Sequence, residues 1–191
     1  MTTIYFVRHA QSDYRGGSDR ERGLTAEAME DRKIVLDFLR DKPVDAFWCS
    51  PYRRSLDTIR EAAEHFGMTI HTDERLRERE AAPGGNVREL FRKRWADFDW
   101  HEPGGESLRS VQERNIAALT DILTAERDRT VVIGTHGTAL STILNCYDPG
   151  YDCDSFLRII DWMPFVVELD FEGTRFLGKT EHVHVEKVFQ Q

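Results

Sequence analysis

Three short runs of β-branched and aromatic residues, each followed by a longer helical pattern, constrain the fold of this chain most. The runs cover residues 4–7, 46–49 and 131–134, and residues 69–71 form a possible fourth. Short buried runs that alternate with amphipathic helices are typical of parallel sheets with helices on both faces. We therefore predict an α/β fold in three layers, α/β/α, with a mainly parallel sheet.

Helix boundary signals fit this alternation. A helical pattern leads on from Thr25 and ends at Pro43, because proline cannot continue a helix. A second pattern runs to about His65, and Pro51 suits its first turn. Ser107 is the predicted N-cap of a third helix.

Two segments depart from the alternation. Residues 165–171 and 174–177 flank Glu172-Gly173, which predicts a C-terminal antiparallel hairpin, and residues 182–188 alternate like a separate last strand. Residues 80–105 contain two Pro-Gly-Gly loop signals and a less regular pattern, so we interpret them as a small cap inserted into a single domain spanning residues 1–191. Trp95, Phe98 and Trp100 either line a substrate lid or pack this cap onto the body.

Chemically reactive side chains follow the predicted strands directly. Arg8-His9 follows the first strand, the stretch from Ser50 to Arg54 the second, and Thr135-His136 the strand at residues 131–134. Residues 73–79, rich in carboxylates and arginines, follow the possible fourth strand. Because ligands of open α/β sheets bind beyond the carboxyl ends of the strands, we expect these side chains to meet in one site.

The collected groups suit phosphoryl transfer. Guanidinium groups match phosphate oxygens, a neutral imidazole can accept a phosphoryl group, and a carboxylic acid can protonate the leaving alkoxide. Helix N-termini after Ser50 and Thr135 would add backbone donors for the anion. From the residues alone, His9 and His136 are both candidate nucleophiles. Four carboxylates compete for the acid: Glu74, Glu78, Glu80 and Glu106.

Six motifs in order give the chain a resemblance to a known family. They are Arg8-His9-Ala10-Gln11-Ser12, Leu24-Thr25, the stretch from Ser50 to Thr58, Leu76-Arg77-Glu78, the stretch from Gly105 to Leu108, and Thr135-His136-Gly137. At these residues the sequence resembles the histidine phosphatase superfamily, which includes cofactor-dependent phosphoglycerate mutases. The resemblance spans almost the whole chain and implies a phosphoric monoester hydrolase without cofactor or metal.

The resemblance also implies roles for individual residues. His9 is the nucleophile that becomes phosphorylated, and Glu78 is the proton donor that later helps to activate water. The phosphoryl group is held by Arg8, Arg54 and His136. Further phosphate-binding residues on this interpretation are Ser12, Arg15 and Gly137.

Three departures from the family pattern bear on the reaction. Ala10 stands where the signature has glycine, and we expect only a slight backbone adjustment. Tyr14 replaces the tryptophan of the mutases, and Arg15 replaces an asparagine that often contacts phosphate there. Both changes favour a phosphatase over a mutase.

Composition excludes several other classes. The net charge of -8 disfavours a nucleic-acid binder, and no run is long enough to cross a membrane or to serve as a signal peptide. The three cysteines have no metal-ligand spacing, and they fit a reducing cytoplasm. His182 and His184 share one strand face, but without an evident third ligand we expect them to be structural rather than metal-binding.

We therefore predict a cytoplasmic, metal-independent phosphatase that hydrolyses a small phosphorylated metabolite through a phosphohistidine intermediate. Two alternatives stay open at this point. The first is a phosphotransferase similar to phosphoglycerate mutase, and the second is a non-catalytic protein that binds a phosphorylated ligand. The sequence favours neither a particular substrate nor an oligomeric state.

Overall fold

A computed structural model of the 191-residue chain describes residues 1–189. Strands and helices alternate along most of this length. In chain order they are β1 (Thr2–Arg8), α1 (Ala26–Asp31), α2 (Lys33–Leu39), β2 (Ala46–Cys49), α3 (Arg53–His65), β3 (Ile70–Thr72), α4 (Arg88–Ala96), α5 (Leu108–Ala125), β4 (Thr130–Thr135), α6 (Gly137–Tyr147), α7 (Cys153–Arg158), β5 (Trp162–Glu172) and β6 (Arg175–Glu186).

The strands form one sheet in the order β3-β2-β4-β1-β5-β6. The first four pair in parallel, whereas β5 runs antiparallel to β1 and forms a hairpin with β6. A parallel neighbour needs a crossover connection, which the helices supply, and an antiparallel neighbour does not. The prediction of a mainly parallel sheet with a C-terminal antiparallel hairpin is confirmed.

The alternating side chains of β1 divide the hydrophobic core between the two faces of the sheet. Ile4 and Phe6 pack with residues of α5 and α6, and Tyr5 and Val7 pack on the other face with residues of α2 and α3. Both faces are covered, as a parallel sheet requires. The three-layer architecture predicted from the sequence is therefore confirmed.

Helix starts follow the start signals of the sequence in two of three cases. The Thr25 and Ser107 side chains each accept a backbone N–H of the first turn, from Ala28 and Ser110 respectively. The position of Pro51 is a correction, because α3 begins at Arg53 rather than at the proline. The Ser50 hydroxyl accepts the Tyr52 backbone N–H at 3.2 Å and holds residues 50–52 in a turn before the helix.

The C-terminal part also corrects the sequence prediction. One strand, β6, joins the two strands predicted at residues 174–177 and 182–188, because its backbone pairs with β5 from Arg175 to Glu186. The polar residues between them are tolerated because β6 is an edge strand, whose side chains do not have to be buried. Helix α7, capped by Asp152, was not predicted, since its six residues are too few to show a period.

The segment predicted as a cap contains α4, which ends at Ala96 because Asp97 is extended. Of the three aromatic residues singled out in this segment, Trp95 lies in the helix, and Phe98 and Trp100 follow it. Phe91 packs edge-on against Phe156 of α7, with 5.4 Å between ring centroids, and Trp95 stacks on the same ring. These aromatic contacts attach the segment to the body of the protein.

Hydrogen bonds between the strand ends fix the residues that follow them. The His9 N–H donates to the Thr135 carbonyl at 3.1 Å, and the Ser50 N–H donates to the Gly134 carbonyl at 3.0 Å. Gly134 has no room for a side chain, since a Cβ there would lie 2.5 Å from the Cys49 sulfur and 2.9 Å from the Ser55 hydroxyl. This close approach lets α3 begin directly over the ends of β2 and β4.

Candidate active site

A cavity of about 330 Å³ lies beyond the carboxyl ends of the central strands. Five residues singled out in the sequence line it: Arg8, His9, Arg54, Glu78 and Gly137. They come from the end of β1, the first turn of α3, the loop after β3 and the start of α6. The fold thus brings together side chains that are up to about 130 positions apart in the sequence.

His9 is buried with its ring fixed by two neighbours. Its Nδ1 lies 2.6 Å from the Ala10 carbonyl oxygen, which can only accept, so the proton is on Nδ1 and the lone pair on Nε2. Arg54 Nε donates towards that Nε2 at 3.3 Å. Burial, and then the charges of Arg54 and Arg8, hold the pKa of His9 well below 6.5. The imidazole is therefore neutral at pH 7 and presents a lone pair beside two guanidinium groups.

His136 lies fully buried beside His9, with 5.2 Å between the ring centroids. Its Nε2 is 2.7 Å from the Ser50 hydroxyl, and its Nδ1 has no hydrogen-bond partner within residues 1–189. Burial, together with the charge of Arg54, lowers the pKa of His136 well below 6.5, so this ring is also neutral. When Ser50 donates to Nε2, the proton sits on Nδ1, where a phosphoryl oxygen could accept it.

Arg8 and Arg54, the two predicted phosphate-binding arginines of the cavity, are buried and held by backbone carbonyls. Arg8 Nη1 donates to the Ile159 carbonyl at 2.5 Å, and Arg54 Nη1 donates to the Asp19 carbonyl at 2.5 Å. Burial lowers the pKa of both groups, that of Arg8 to about 10, so both stay charged at pH 7. Gly137 packs on Arg8, because a Cβ there would lie 3.1 Å from the guanidinium carbon.

The Glu78 carboxylate lies at the start of α6, where the sequence analysis expected the substrate phosphate. Its carboxylate accepts the backbone N–H groups of Thr138 and Ala139, at 3.0 and 2.9 Å, in the first turn of α6. It also accepts its neighbour's N–H, from Arg79, at 2.9 Å. The helix after Thr135 was expected to offer backbone donors to a phosphate, and the structure shows that two of them, the N–H groups of Thr138 and Ala139, hold Glu78 at the cavity instead.

The competing carboxylates lie elsewhere. Glu74 pairs with Arg20 on the surface, and Glu80 is exposed. Glu106 binds Arg114 through both oxygens, at 2.8 and 2.9 Å, and accepts the Glu80 N–H. Among these four, the structure brings Glu78 into contact with the cavity.

Arg114 of α5 fixes the loop that carries Glu78. Its guanidinium donates to the backbone carbonyls of Arg75 and Arg77, both at 2.7 Å, and of Glu78 at 3.0 Å. Arg114 is one of several polar residues of this amphipathic helix, and nothing in the sequence distinguished it from the others. The arginine ties the loop to a helix of the hydrophobic core.

Ser12 and Arg15 do not join the other predicted phosphate-binding residues. Ser12 is buried in a backbone bridge to Leu24 and does not line the cavity. Arg15 is exposed, with 86% of its side chain in solvent, and its guanidinium forms a two-pronged ion pair with Asp13. This local pair, two residues away along the chain, holds Arg15 outside the cavity.

The sequence analysis gave no role in the site to several residues that line the cavity, among them Asp19 and Arg22. Asp19 accepts from both Arg22, at 2.5 Å, and Arg54, at 3.2 Å. The Arg22 guanidinium also lies over the Tyr14 ring, 4.1 Å from its centroid. Asp19 and Arg22 belong to an irregular polar segment without periodicity, so their sequence context did not distinguish them from surface residues.

Arg79, the residue after Glu78, also lines the cavity and is buried. Its Nη2 donates to both oxygens of Glu102 at 2.5 Å, and Arg94 donates to the same carboxylate at 3.0 Å. Arg79 Nε also donates to the Glu106 carbonyl at 2.7 Å. The cap segment is thereby attached to the residue that follows Glu78.

His182 and His184 have partners within the sheet. His182 Nε2 lies 2.7 Å from a Glu168 oxygen, and His184 stacks on Trp162 with 3.9 Å between centroids. Within the described residues, no group of three or more His, Cys, Asp or Glu side chains is arranged to hold a metal ion. Helices long and apolar enough to span a bilayer are also absent from residues 1–189.

Comparison with known families agrees with this geometry. Residues 4–177 match the model of the histidine phosphatase superfamily (branch 1). The match covers far more than half of the chain, so the protein belongs to this superfamily, and the predicted resemblance is confirmed.

Known proteins similar to this chain carry different names within that family. A putative phosphoserine phosphatase 2 of Hydrogenobacter thermophilus is 25% identical and aligns over 95% of this chain and 98% of its own. A probable phosphoglycerate mutase of Proteus mirabilis is 27% identical over 76% and 74% of the two chains. The solved structure of a mycobacterial glucosyl-3-phosphoglycerate phosphatase superposes with a TM-score of 0.74 at 19% identity, covering 95% and 97%. That structural likeness shows the fold.

Proposed function

We propose that this protein is a metal-independent phosphatase that hydrolyses a small phosphorylated metabolite through a phosphohistidine at His9. The observation that carries the proposal is the state of the His9 ring. Its Nδ1 proton is bound by the Ala10 carbonyl, and its neutral Nε2 lies beside the Arg54 guanidinium. A buried lone pair flanked by phosphate-binding cations is the arrangement that nucleophilic attack on phosphorus requires.

In the first step the His9 Nε2 attacks phosphorus, so that a P–N bond forms as the P–O bond to the alcohol breaks. Arg8 and Arg54 stabilise the charge on the equatorial oxygens, and His136 donates from Nδ1. The departing oxygen takes the proton of the Glu78 carboxyl group, because an alkoxide is otherwise a poor leaving group.

In the second step water attacks the phosphohistidine. The Glu78 carboxylate takes a proton from the water as its oxygen bonds to phosphorus. The P–N bond breaks, its electrons return to His9 Nε2, and inorganic phosphate leaves. The two steps use the same residues and restore the enzyme to its starting state.

The position of Arg15 supports water rather than a second phosphorylated metabolite as the acceptor. Its guanidinium is paired with Asp13 in solvent, so the loop after Ser12 supplies no extra phosphate contact from this residue. A mutase must keep its phosphohistidine from water, and added contacts to the bound phosphoglycerate would serve that end. Hydrolysis needs no such contacts.

Three further assignments complete the proposal. Residues 80–105 act as the cap of a single domain, which the ion pairs of Glu102 with Arg79 and Arg94 support. The cytoplasm is the proposed compartment, which the free thiols of Cys49, Cys146 and Cys153 support. The net charge of -8 supports a small metabolite rather than a nucleic acid as partner.

The test is hydrolysis of p-nitrophenyl phosphate by the purified protein. We expect activity that survives a chelator, is blocked by vanadate, and falls at least about a thousandfold in His9→Ala. The exposed His65→Ala variant is the matched control and should keep full activity. Full activity in His9→Ala would remove the nucleophile assignment, and strict dependence on a divalent ion would remove the mechanism.

Supplying a phosphoglycerate separates the alternatives. Release of inorganic phosphate supports the phosphatase, whereas transfer of the phosphoryl group to another hydroxyl would identify a mutase. Binding of phosphate without turnover over a panel of phosphomonoesters would identify a non-catalytic phospholigand-binding protein.

A further inference from the structure

Arg22 lines the active-site cavity, although it belongs to the irregular loop of residues 13–23. The loop closes on itself, since the Asp13 N–H donates to the Gly23 carbonyl at 2.8 Å. This closure returns the chain to the residues that follow β1. The Arg22 side chain is 15% exposed, whereas that of Arg15 in the same loop is 86% exposed. Of these two arginines, Arg22 is therefore the one that the loop turns towards the active site.

The Arg22 guanidinium is held by two neighbours and keeps donors free. Its Nη2 donates to Asp19 Oδ1 at 2.5 Å, and its carbon lies over the Tyr14 ring, 4.1 Å from the centroid. An aromatic ring covers the face of a guanidinium and leaves its in-plane N–H groups available. Arg22 Nε has no hydrogen-bond partner within residues 1–189. A buried N–H without a partner costs free energy, which a bound anion would recover.

Arg22 is a neighbour of Arg54, because both guanidinium groups bind the same oxygen atom of Asp19. This Oδ1 lies 2.5 Å from Arg22 Nη2 and 3.2 Å from Arg54 Nη1. Two positive charges thus share one negative charge, and the surplus attracts an anion. Arg54 Nε in turn lies 3.3 Å from His9 Nε2. A phosphoryl group at that nitrogen would therefore have Arg54 and Arg22 on the same side.

The charge of Arg22 acts on both of these groups. Burial is the main cause that lowers the pKa of His9, and the charges of Arg54 and Arg8 follow. The charge of Arg22 lowers the pKa of His9 further. Burial also lowers the pKa of Arg54, the Asp19 charge opposes this effect, and the Arg22 charge adds to it. These directions agree with the short series of contacts that connects Arg22 to His9.

We propose, on the basis of the phosphatase activity above, that Arg22 is a third phosphate-binding arginine, which contacts the transferring phosphoryl group together with Arg8 and Arg54. Guanidinium groups match phosphate oxygens and keep their charge when buried. A phosphoryl group in transfer spreads negative charge over three equatorial oxygens, so a third guanidinium adds to the stabilisation that the other two supply. The contact serves both the formation and the hydrolysis of the phosphohistidine.

Substitution of Arg22 tests this inference through two measurements. Arg22→Met should lower kcat/KM about a hundredfold, and equally for p-nitrophenyl phosphate and ethyl phosphate, because the phosphoryl group is common to both. Its dissociation constant for inorganic phosphate, measured by calorimetry, should rise about tenfold. Arg22→Lys keeps the charge and should recover part of both losses. Arg15→Met is the matched control and should change neither quantity, since this arginine of the same loop lies in solvent.

The outcomes separate this inference from the proposed function. An Arg22→Met variant that binds phosphate as tightly as Arg15→Met would overturn the role of Arg22 and leave the phosphatase in place. If Arg22→Met does not fold, Arg22→Gln, which keeps a donor for Asp19, takes its place with the same expected losses. A wild type that binds phosphate through Arg22 but does not hydrolyse p-nitrophenyl phosphate would count against the phosphatase alone.

Discussion

At the scale of single residues, the two active-site histidines have similar burial and differ in what holds them. His9 is oriented by a backbone carbonyl, whereas His136 is oriented by the hydroxyl of Ser50. A carbonyl fixes the tautomer of an imidazole by itself, but a hydroxyl can donate or accept. The proton position of His136 therefore depends on a side chain that can be replaced.

Ser50→Ala should lower kcat for p-nitrophenyl phosphate roughly ten- to a hundredfold with little change in KM. It leaves the buried His136 Nε2 unsatisfied and lets the ring take the tautomer without a proton on Nδ1. Ser50→Thr keeps a hydroxyl and should recover much of the rate. The equally buried Ser55→Ala is the control, and equal losses in both alanine variants would contradict the role given to Ser50.

At the scale of secondary structure elements, α5 positions the proposed acid although none of its residues lines the cavity. Arg114 binds three backbone carbonyls of the loop after β3, and Glu106, just before the helix, binds the same guanidinium. Helix α6 holds the Glu78 carboxylate from the other side. Two helices thus fix one carboxyl group.

Arg114→Met should impair the acid step selectively. We expect kcat for alkyl phosphates to fall at least about tenfold more than kcat for p-nitrophenyl phosphate, because p-nitrophenolate leaves without a proton. Glu78→Gln should show the same dependence on the leaving group. Arg109→Met is the matched control, since Arg109 is an exposed arginine of the same helix paired with Asp99. A uniform loss over all substrates would indicate a merely structural Arg114.

Much of the element order could be predicted from the sequence, because buried strands and N-capped helices leave local signals. The residues around Arg8, His9 and His136 were found for the same reason, as they follow strands directly. The pairing of Arg79 with Glu102 and the entry of Arg22 into the cavity have no such signal. They depend on contacts across 23 positions, from Arg79 to Glu102, and across 35 positions, from Asp19 to Arg54, or on irregular backbone, which no local pattern encodes.

At the scale of the whole molecule, the neutral histidines couple folding to pH. The pKa values of His9 and His136 lie well below 6.5 in the folded protein, chiefly because of burial, and rise to about 6.5 on unfolding. Between about pH 5 and 6.5 the unfolded chain therefore binds more protons than the native one. Stability must fall as the pH falls through this window.

Each of these two histidines should contribute a slope of up to about 1.4 kcal/mol per pH unit to the free energy of unfolding. Urea denaturation of the wild type and of His9→Gln from pH 8 to pH 5 measures it. The difference between their free energies of unfolding should be constant near pH 8. Below pH 6.5 the wild type should lose stability relative to the variant. Parallel curves throughout would show that His9 accepts no extra proton on unfolding.

The position of β1 in the sheet has a consequence for how the active site arises during synthesis. This strand, residues 2–8, lies between β4 and β5, whose residues run from 130 to 135 and from 162 to 172. A ribosome-bound chain that exposes its first hundred residues therefore carries the catalytic strand with both of its edges unpaired. Such edges are prone to join other chains, so we expect the nascent protein to depend on chaperones until its last third emerges.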